Sequence, residues 1–186
     1  LDRSSPEGTR SAMIENWPTL LAFIGVNFLA AMSGGIFRPG TWYKRLDKPS
    51  WTPPDWAFAP AWTLIYGTIA AAGYMVWQTA GPGALALPMA FYSAQLVFNG
   101  AWSALFFGLK RMDWALVDSV LMWLAILGTI VTFWQVDRIA ALILVPYLLW
   151  VTFATALNWA MLRRNPVAGR GGTLPAEGAE PASSGA

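Results

Sequence analysis

No aspartate, glutamate, lysine or arginine occurs between Glu15 and Arg38, between Asp55 and Lys110, between Asp118 and Asp137, or between Arg138 and Arg163. A helix needs roughly 20 mostly apolar residues to cross the hydrocarbon core of a bilayer. The second stretch has room for two crossings, separated by the turn signal Gln78-Thr79-Ala80-Gly81-Pro82-Gly83. The pattern predicts an all-α integral membrane protein, a five transmembrane helix bundle with spans at 17–37, 57–77, 85–108, 114–134 and 139–162. The runs are continuous and do not alternate, which favours helices over barrel strands. Only 12% of the residues are charged, half the usual share of about 25% in soluble domains, so there is too little charge to coat a water-facing surface.

The flanks divide the chain further. Residues 1–16 read as a flexible N-terminal segment, 17–162 as the transmembrane domain, and 163–186, rich in Gly, Pro, Ala, Ser and Glu, as a disordered tail. The first apolar run is longer than a signal-peptide core and has charges of both signs before it, so a spanning helix is expected. Loop charges give an orientation. Arg3, Arg10 and Arg138 fall on one face, three basic residues in all. Arg38, Lys44, Arg45, Lys48, Lys110, Arg111, Arg163, Arg164 and Arg170, nine in all, fall on the other. The basic face is expected to be cytoplasmic, which leaves the N-terminus outside and the C-terminus inside.

Two residue types are missing altogether, Cys and His. That excludes disulfides, thiolate nucleophiles, imidazole bases and His- or Cys-ligated metal centres. A net charge of +2, scattered along the chain, does not make a nucleic-acid groove.

Twelve tryptophans remain to be explained. Trp17, Trp56, Trp77, Trp114, Trp134 and Trp159 lie near predicted helix ends, where an aromatic belt is expected. Trp62, Trp102, Trp123 and Trp150 lie deeper, and each indole N–H there needs a partner. Gln95, Asn99 and Ser103 share one stripe of the third span, and Trp150, Ala154 and Asn158 share one of the fifth. Helix direction puts these groups near the middle or in the basic-face half. They are either interhelical hydrogen bonds or the few polar anchors of a cavity. Asp118, one turn inside the fourth span, is expected to reach water or pair with Arg111 or Lys110.

The loop at 38–56 lies on the same face, and Trp42–Trp56 reads WYKRLDKPSWTPPDW. Its prolines 49, 53 and 54 hold it extended and stiff, suited to a lid over a pocket or to an interfacial anchor. Gly100, Ala104 and Gly108, like Ala86, Ala90 and Ala94, form rows of small residues that permit close helix approach within one chain or between two.

That loop, followed by Phe58, Trp62 and Tyr66, resembles the hallmark segment of the translocator protein family, the tryptophan-rich sensory proteins. The runs AQLVFNGAWSALFFGLKR (94–111) and VPYLLWVTFATALNWAMLRRN (145–165) resemble the same family. The resemblance covers about residues 17–165. It implies a five-helix receptor, commonly a homodimer (here through the third span), that binds porphyrins, cholesterol-like sterols and aromatic ligands beneath the first loop. Carried over by motif, the ligand-binding positions are Tyr43, Pro54, Trp62, Asn99, Trp102, Trp150, Phe153 and Ala154. No cofactor is obligatory. Protoporphyrin IX is the expected ligand, or haem held without a His or Cys ligand, with Lys44, Arg45 and Lys48 near its carboxylates. Cholesterol is less favoured, because Leu157-Asn158 is followed by Trp159 where the sterol pattern has Tyr. Transport of a tetrapyrrole or sterol is an alternative, as is light- or oxygen-dependent porphyrin breakdown, for which Trp62 and Trp150 are the redox side chains.

Overall fold

A computed structural model describes residues 16–81 and 83–173. Among these the secondary structure is helical. Five helices have 18 residues or more: α1 (Trp17–Ile36), α2 (Phe58–Thr79), α3 (Ala86–Ser103), α4 (Met112–Trp134) and α5 (Val145–Arg164). α1, α2 and α3 lie inside the charge-free runs, while α4 also takes in Asp113 and Asp118 and α5 ends on Arg163 and Arg164. By length and composition, three segments are apolar enough to cross a membrane: α1, α4, and α5 together with the short helix before it. α2 and α3 are less apolar because they hold Trp, Tyr, Thr, Gln and Asn residues, of which Tyr92, Gln95 and Asn99 are buried in the bundle.

Two breaks were not evident in the pattern. The predicted fifth span begins with a separate helix, Arg138–Leu142. Asp137 caps it, its carboxylate accepting from the amides of Ile139 (2.8 Å) and Ala140 (3.0 Å). Pro146 then sits in the first turn of α5, where its missing N–H costs nothing. At the other end of the bundle α3 widens into a π-turn over Ala104–Gly108, and Lys110 takes a positive φ of 55° in the turn to α4.

α3 packs chiefly on α4, α4 on α5, and α1 against α2 and α3. Small residues set the closest approach: a Cβ at Gly73 would come within 2.7 Å of the Phe23 ring and 2.8 Å of Tyr92. Two members of the small-residue row at Gly100, Ala104 and Gly108 are engaged by α1 and the residue that follows it. Gly100 faces the Ala30 backbone, and Gly108 lies under the Phe37 ring. The outer faces are apolar, with Leu21, Phe28 and Leu29 of α1, Leu87 and Val97 of α3, and Val117, Leu124 and Val131 of α4 all exposed. Such faces suit lipid and not water.

The tail expectation needs correcting. Residues 163 and 164 complete α5, and the chain then turns back over 166–169 to bridge Arg170 with Arg111. The Asp113 amide donates to the Gly169 carbonyl at 3.3 Å. Backbone pairing and the tight seat of Gly169 against Leu162 and Met112 hold this segment despite its polar composition. Residues 174–186, and residues 1–15 of the N-terminal segment, lie outside the described residues.

Candidate functional site: the aromatic interior beneath the first loop

The loop between α1 and α2 is built from three local turns. Thr41–Lys44 forms one helical turn, the Thr52 amide and hydroxyl both donate to the Pro49 carbonyl, and Asp55–Ala57 forms a 3-10 turn leading into α2. One side chain anchors it from a distance. Asn165, at the end of α5, accepts from the Asp47 amide (2.9 Å) and donates to the Asp47 carbonyl (2.8 Å). Arg164 adds an exposed ion pair with Asp47 at 3.4 Å.

Beneath the loop the side chains divide into two adjoining clusters. In the first, Trp62 meets Tyr66, Tyr147 and Trp150 at 5.7, 6.4 and 6.5 Å between ring centroids. Trp150 also contacts Phe58 and Phe153, and Phe153 meets Trp51 of the loop edge to face. In the second, Trp102 stacks on Phe106 at 4.8 Å, and Tyr43 packs on Phe106 and Phe107. Tyr43 is only 5% exposed, and Lys48 lies over its ring at 3.7 Å, a cation–π contact. Burial, with the nearby Asp55 charge adding to it, holds the Tyr43 phenol above its ordinary pKa.

A chain of hydrogen bonds runs through the interior. The Tyr66 hydroxyl donates to Asn99 Oδ1; Asn99 Nδ2 donates to the Tyr147 hydroxyl at 2.9 Å; Tyr147 in turn donates to Gln95 Oε1 at 2.9 Å. Asn99 Oδ1, Asn99 Nδ2 and Gln95 Oε1 are each bonded to a tyrosine, which restrains the two amides. Further along, Asn27 Nδ2 donates to the Tyr92 hydroxyl at 2.7 Å. The helix stripes are therefore partly interhelical hydrogen bonding, as one of the two expectations had it.

The structure thus brings Trp62, Asn99, Trp150 and Phe153 to one neighbourhood and sets Tyr43 and Trp102 in the cluster beside it. Ala154 is half-buried, and Pro54 is exposed on the loop. Beneath the loop the aromatic side chains lean on one another. Two cavities lie elsewhere among the described residues. One, ringed by Ile69, Gln95, Ile126 and Tyr147, has no room for a water. The other is an outward groove of about 570 Å³ between α4 and α5, lined by Leu116, Trp123, Thr155 and Trp159.

Asp118 departs from its expectation. It is buried, and its Oδ2 has no hydrogen-bond partner. Arg111 instead forms a two-pronged pair with Asp113, at 2.8 and 2.6 Å. Asn158, oriented to donate to the Met112 carbonyl (3.3 Å) and accept from the Leu116 amide (3.0 Å), joins α5 to the first turn of α4. The helix-end tryptophans are exposed as a belt requires, and Arg111, Arg138 and Arg163 lie over Trp114, Trp134 and Trp159. Trp123 is satisfied by Thr152 at 2.8 Å. The Trp150 and Trp42 indole N–H groups are buried without partners.

Sequence reasoning did not single out Tyr147 or Trp51. Tyr147 lies one turn before Trp150 on the same α5 stripe, so the helical period could have found it. Trp51 could not have been distinguished from the other loop aromatics, since only the folded turn aims it at Phe153.

A helical membrane protein with a tryptophan-rich interior under a stiff loop is the class these features define. The TspO/MBR family profile matches residues 20–164. The chain is 41% identical over 150 residues to the "Tryptophan-rich sensory protein" of Cereibacter sphaeroides, covering 81% of this chain and 93% of that protein. It is 43% identical over 138 residues to "Protein CrtK" of Rhodobacter capsulatus, covering 74% and 86%. It is also 43% identical over 168 residues to the "Translocator protein" of Sus scrofa, covering 86% and 99%. The chain belongs to the TspO/MBR family and is a membrane protein.

Proposed function

We propose that this protein is a membrane receptor or sensor that binds porphyrins and related flat hydrophobic ligands between α2, α3 and α5, beneath the first loop. The single observation that carries this proposal is the buried, unpartnered indole N–H of Trp150 within the half-exposed cluster Trp51, Phe58, Trp62 and Phe153. A dry N–H without an acceptor is costly, and a ligand acceptor inserted among these rings would relieve it. The rings would separate to sandwich a tetrapyrrole, with Lys44, Arg45 and Lys48 at the mouth for its carboxylates. Protoporphyrin IX, or haem held without an axial His or Cys, is the preferred ligand, and cholesterol is less favoured. Neither is a resident cofactor.

In this proposal all five long helices cross the membrane, with the C-terminus cytoplasmic and the N-terminus outside. A homodimer would form through the outer face of α3, where Leu87, Ala90 and Val97 remain exposed.

Fluorescence titration of the purified protein with protoporphyrin, haem and cholesterol tests the site. Saturable quenching by protoporphyrin is expected, weakened by Trp62→Phe and by Trp150→Phe. Affinity unchanged from the wild type in both variants would overturn the site. Flux into proteoliposomes would instead favour transport, and loss of porphyrin to products in light or oxygen would favour breakdown with Trp62 and Trp150 as the redox pair.

A further inference from the structure

α2 is held unevenly by its neighbours. It packs closely on α1, where Phe23 lies against Gly73. Two hydrogen bonds join it to α3, from the Tyr66 hydroxyl to Asn99 and from the Tyr92 hydroxyl to the Ile69 carbonyl. On the α5 side the end away from the loop is closed by the short helix Arg138–Leu142. That helix packs on α2, and its Ala140 and Ala141, like Val76 of α2, are fully buried.

Toward the loop this closure stops. The backbones of α2 and α5 barely approach each other, and among the described residues no hydrogen bond or ion pair joins the two helices directly. Rings fill the seam instead. Trp150 meets Phe58 at 5.9 Å and Trp62 at 6.5 Å, and Tyr147 meets Trp62 at 6.4 Å, all edge to face. Phe58, Trp62 and Trp150 are each only half-buried.

The loop above the seam is divided in the same way. Its first half is fixed, with Tyr43 and Leu46 buried against Phe106, Met112 and Leu157, and Asp47 bonded twice to Asn165. In its second half the backbone bonds are local, from Thr52 to Pro49 and from Ala57 to Pro54. Trp51 reaches α5 by its ring alone, edge to face with Phe153 at 5.6 Å. Pro49 on one side and Pro53-Pro54 on the other have fixed φ, which confines movement to the residues between them.

We infer that the loop end of the α2–α5 seam is a side entrance through which a flat apolar ligand dissolved in the bilayer reaches the aromatic interior, with Trp51 as its gate. The inference rests on the proposed ligand-binding function and adds the route. Entry requires Trp51 to leave Phe153 and the seam rings to part. No hydrogen bond between helices is broken, and the pinned half of the loop stays in place. A ligand of this class leaves water for the bilayer, so the membrane side is its source.

The test uses the full chain in nanodiscs, with protoporphyrin quenching followed by stopped flow. Trp51→Ala should raise the association rate by about tenfold, as removal of a gate does. A residue that merely touches bound ligand changes dissociation alone, and an unchanged association rate overturns the gate. Because the chain has no cysteine, Asp47→Cys with Arg164→Cys gives a unique pair for a short bis-methanethiosulfonate that pins the first half of the loop. Association should stay within about twofold of the uncross-linked protein. A larger slowing means that the whole loop must lift, and overturns the side entrance.

A second measurement needs no porphyrin. Ala154→Cys places a thiol one turn beyond Trp150 on the same helical stripe. Pyrenyl maleimide dissolved in the bilayer should label it, and faster when Trp51→Ala is added. Sulfonatoethyl methanethiosulfonate, confined to water by its charge, should label it more slowly. Faster labelling by the sulfonate, or pyrenyl labelling indifferent to Trp51→Ala, refutes the entrance. Absence of saturable protoporphyrin quenching in the wild type defeats the porphyrin reading alone, and the labelling still decides the entrance.

Discussion

The two ends of the bundle are packed on different principles. At the end away from the first loop, Ile69, Ala72, Val76, Phe133, Ala140 and Ala141 are all 0% exposed, and Gly73 lets the Phe23 and Tyr92 rings approach the α2 backbone. At the loop end, Phe58, Trp62, Trp102, Trp150 and Phe153 are only half-buried, and two indole N–H groups lack partners. Small residues interleaved with rings allow helices to close at native density. In the proposed function, the large rings leaning on rings under the loop are the contacts that a ligand would exchange.

Substitutions should expose that difference. Phe133→Ala, at the closed end, should cost about 3 kcal/mol or more, since the tight surroundings cannot collapse into the gap. Phe153→Ala, at the loop end, should cost about 1 kcal/mol, because its site is already partly open. Thermal or denaturant unfolding in detergent measures both, and equal losses would erase the contrast.

The hydrogen-bonded chain between the ends is next in size. Tyr147→Phe removes the hydroxyl that accepts from Asn99 and donates to Gln95. Two buried amides each lose a partner, an expected loss of about 1–2 kcal/mol. Tyr66→Phe, which deprives Asn99 alone, should cost less by the same measurement.

The smallest global effects belong to the loop's attachment. Asn165→Ala breaks both bonds to the Asp47 backbone. Hydrogen exchange of the Asp47 amide should accelerate by about tenfold or more, for roughly 1.4 kcal/mol of lost local protection, while amides of the closed end keep their rates. Arg164→Gln removes only an exposed ion pair at 3.4 Å, worth about 0–1 kcal/mol. Its effect should vanish in high salt, whereas that of Asn165→Ala should persist.

Much of the helical frame was legible because membrane insertion leaves a one-dimensional mark. A charge inside a span is expensive, so the charge-free runs hold α1 and mark the outer limits of the α2–α3 and α5 regions, whereas α4 takes in Asp113 and Asp118 before its own run begins. Three of the belt tryptophans were legible for the same reason, since Trp114, Trp134 and Trp159 each sit where a run meets a flanking arginine. The break at Ile143–Leu144 and the π-turn at Ala104–Gly108 were not, as both are compromises between packing and an otherwise unbroken apolar run. Asp118 illustrates the limit from the other side. Sequence spacing offered it Arg111 or Lys110, but Arg111 is taken by Asp113, two residues away and better aligned.

By itself, then, the sequence determined that this chain is a bundle of long membrane helices, that its indoles fall into an outer belt and an inner group, and that imidazole and thiolate chemistry are absent. Those are consequences of composition and spacing, which act through transfer into lipid and need no partner. The tertiary structure decided that Asn165 ties down the loop, that Tyr147 joins two amides, that Ala30 and Phe37 cover Gly100 and Gly108, and that Asp118 Oδ2 is buried without a hydrogen-bond partner. Each of these depends on which distant side chain arrives within hydrogen-bond or van der Waals reach, and only the packing of helices against one another selects that.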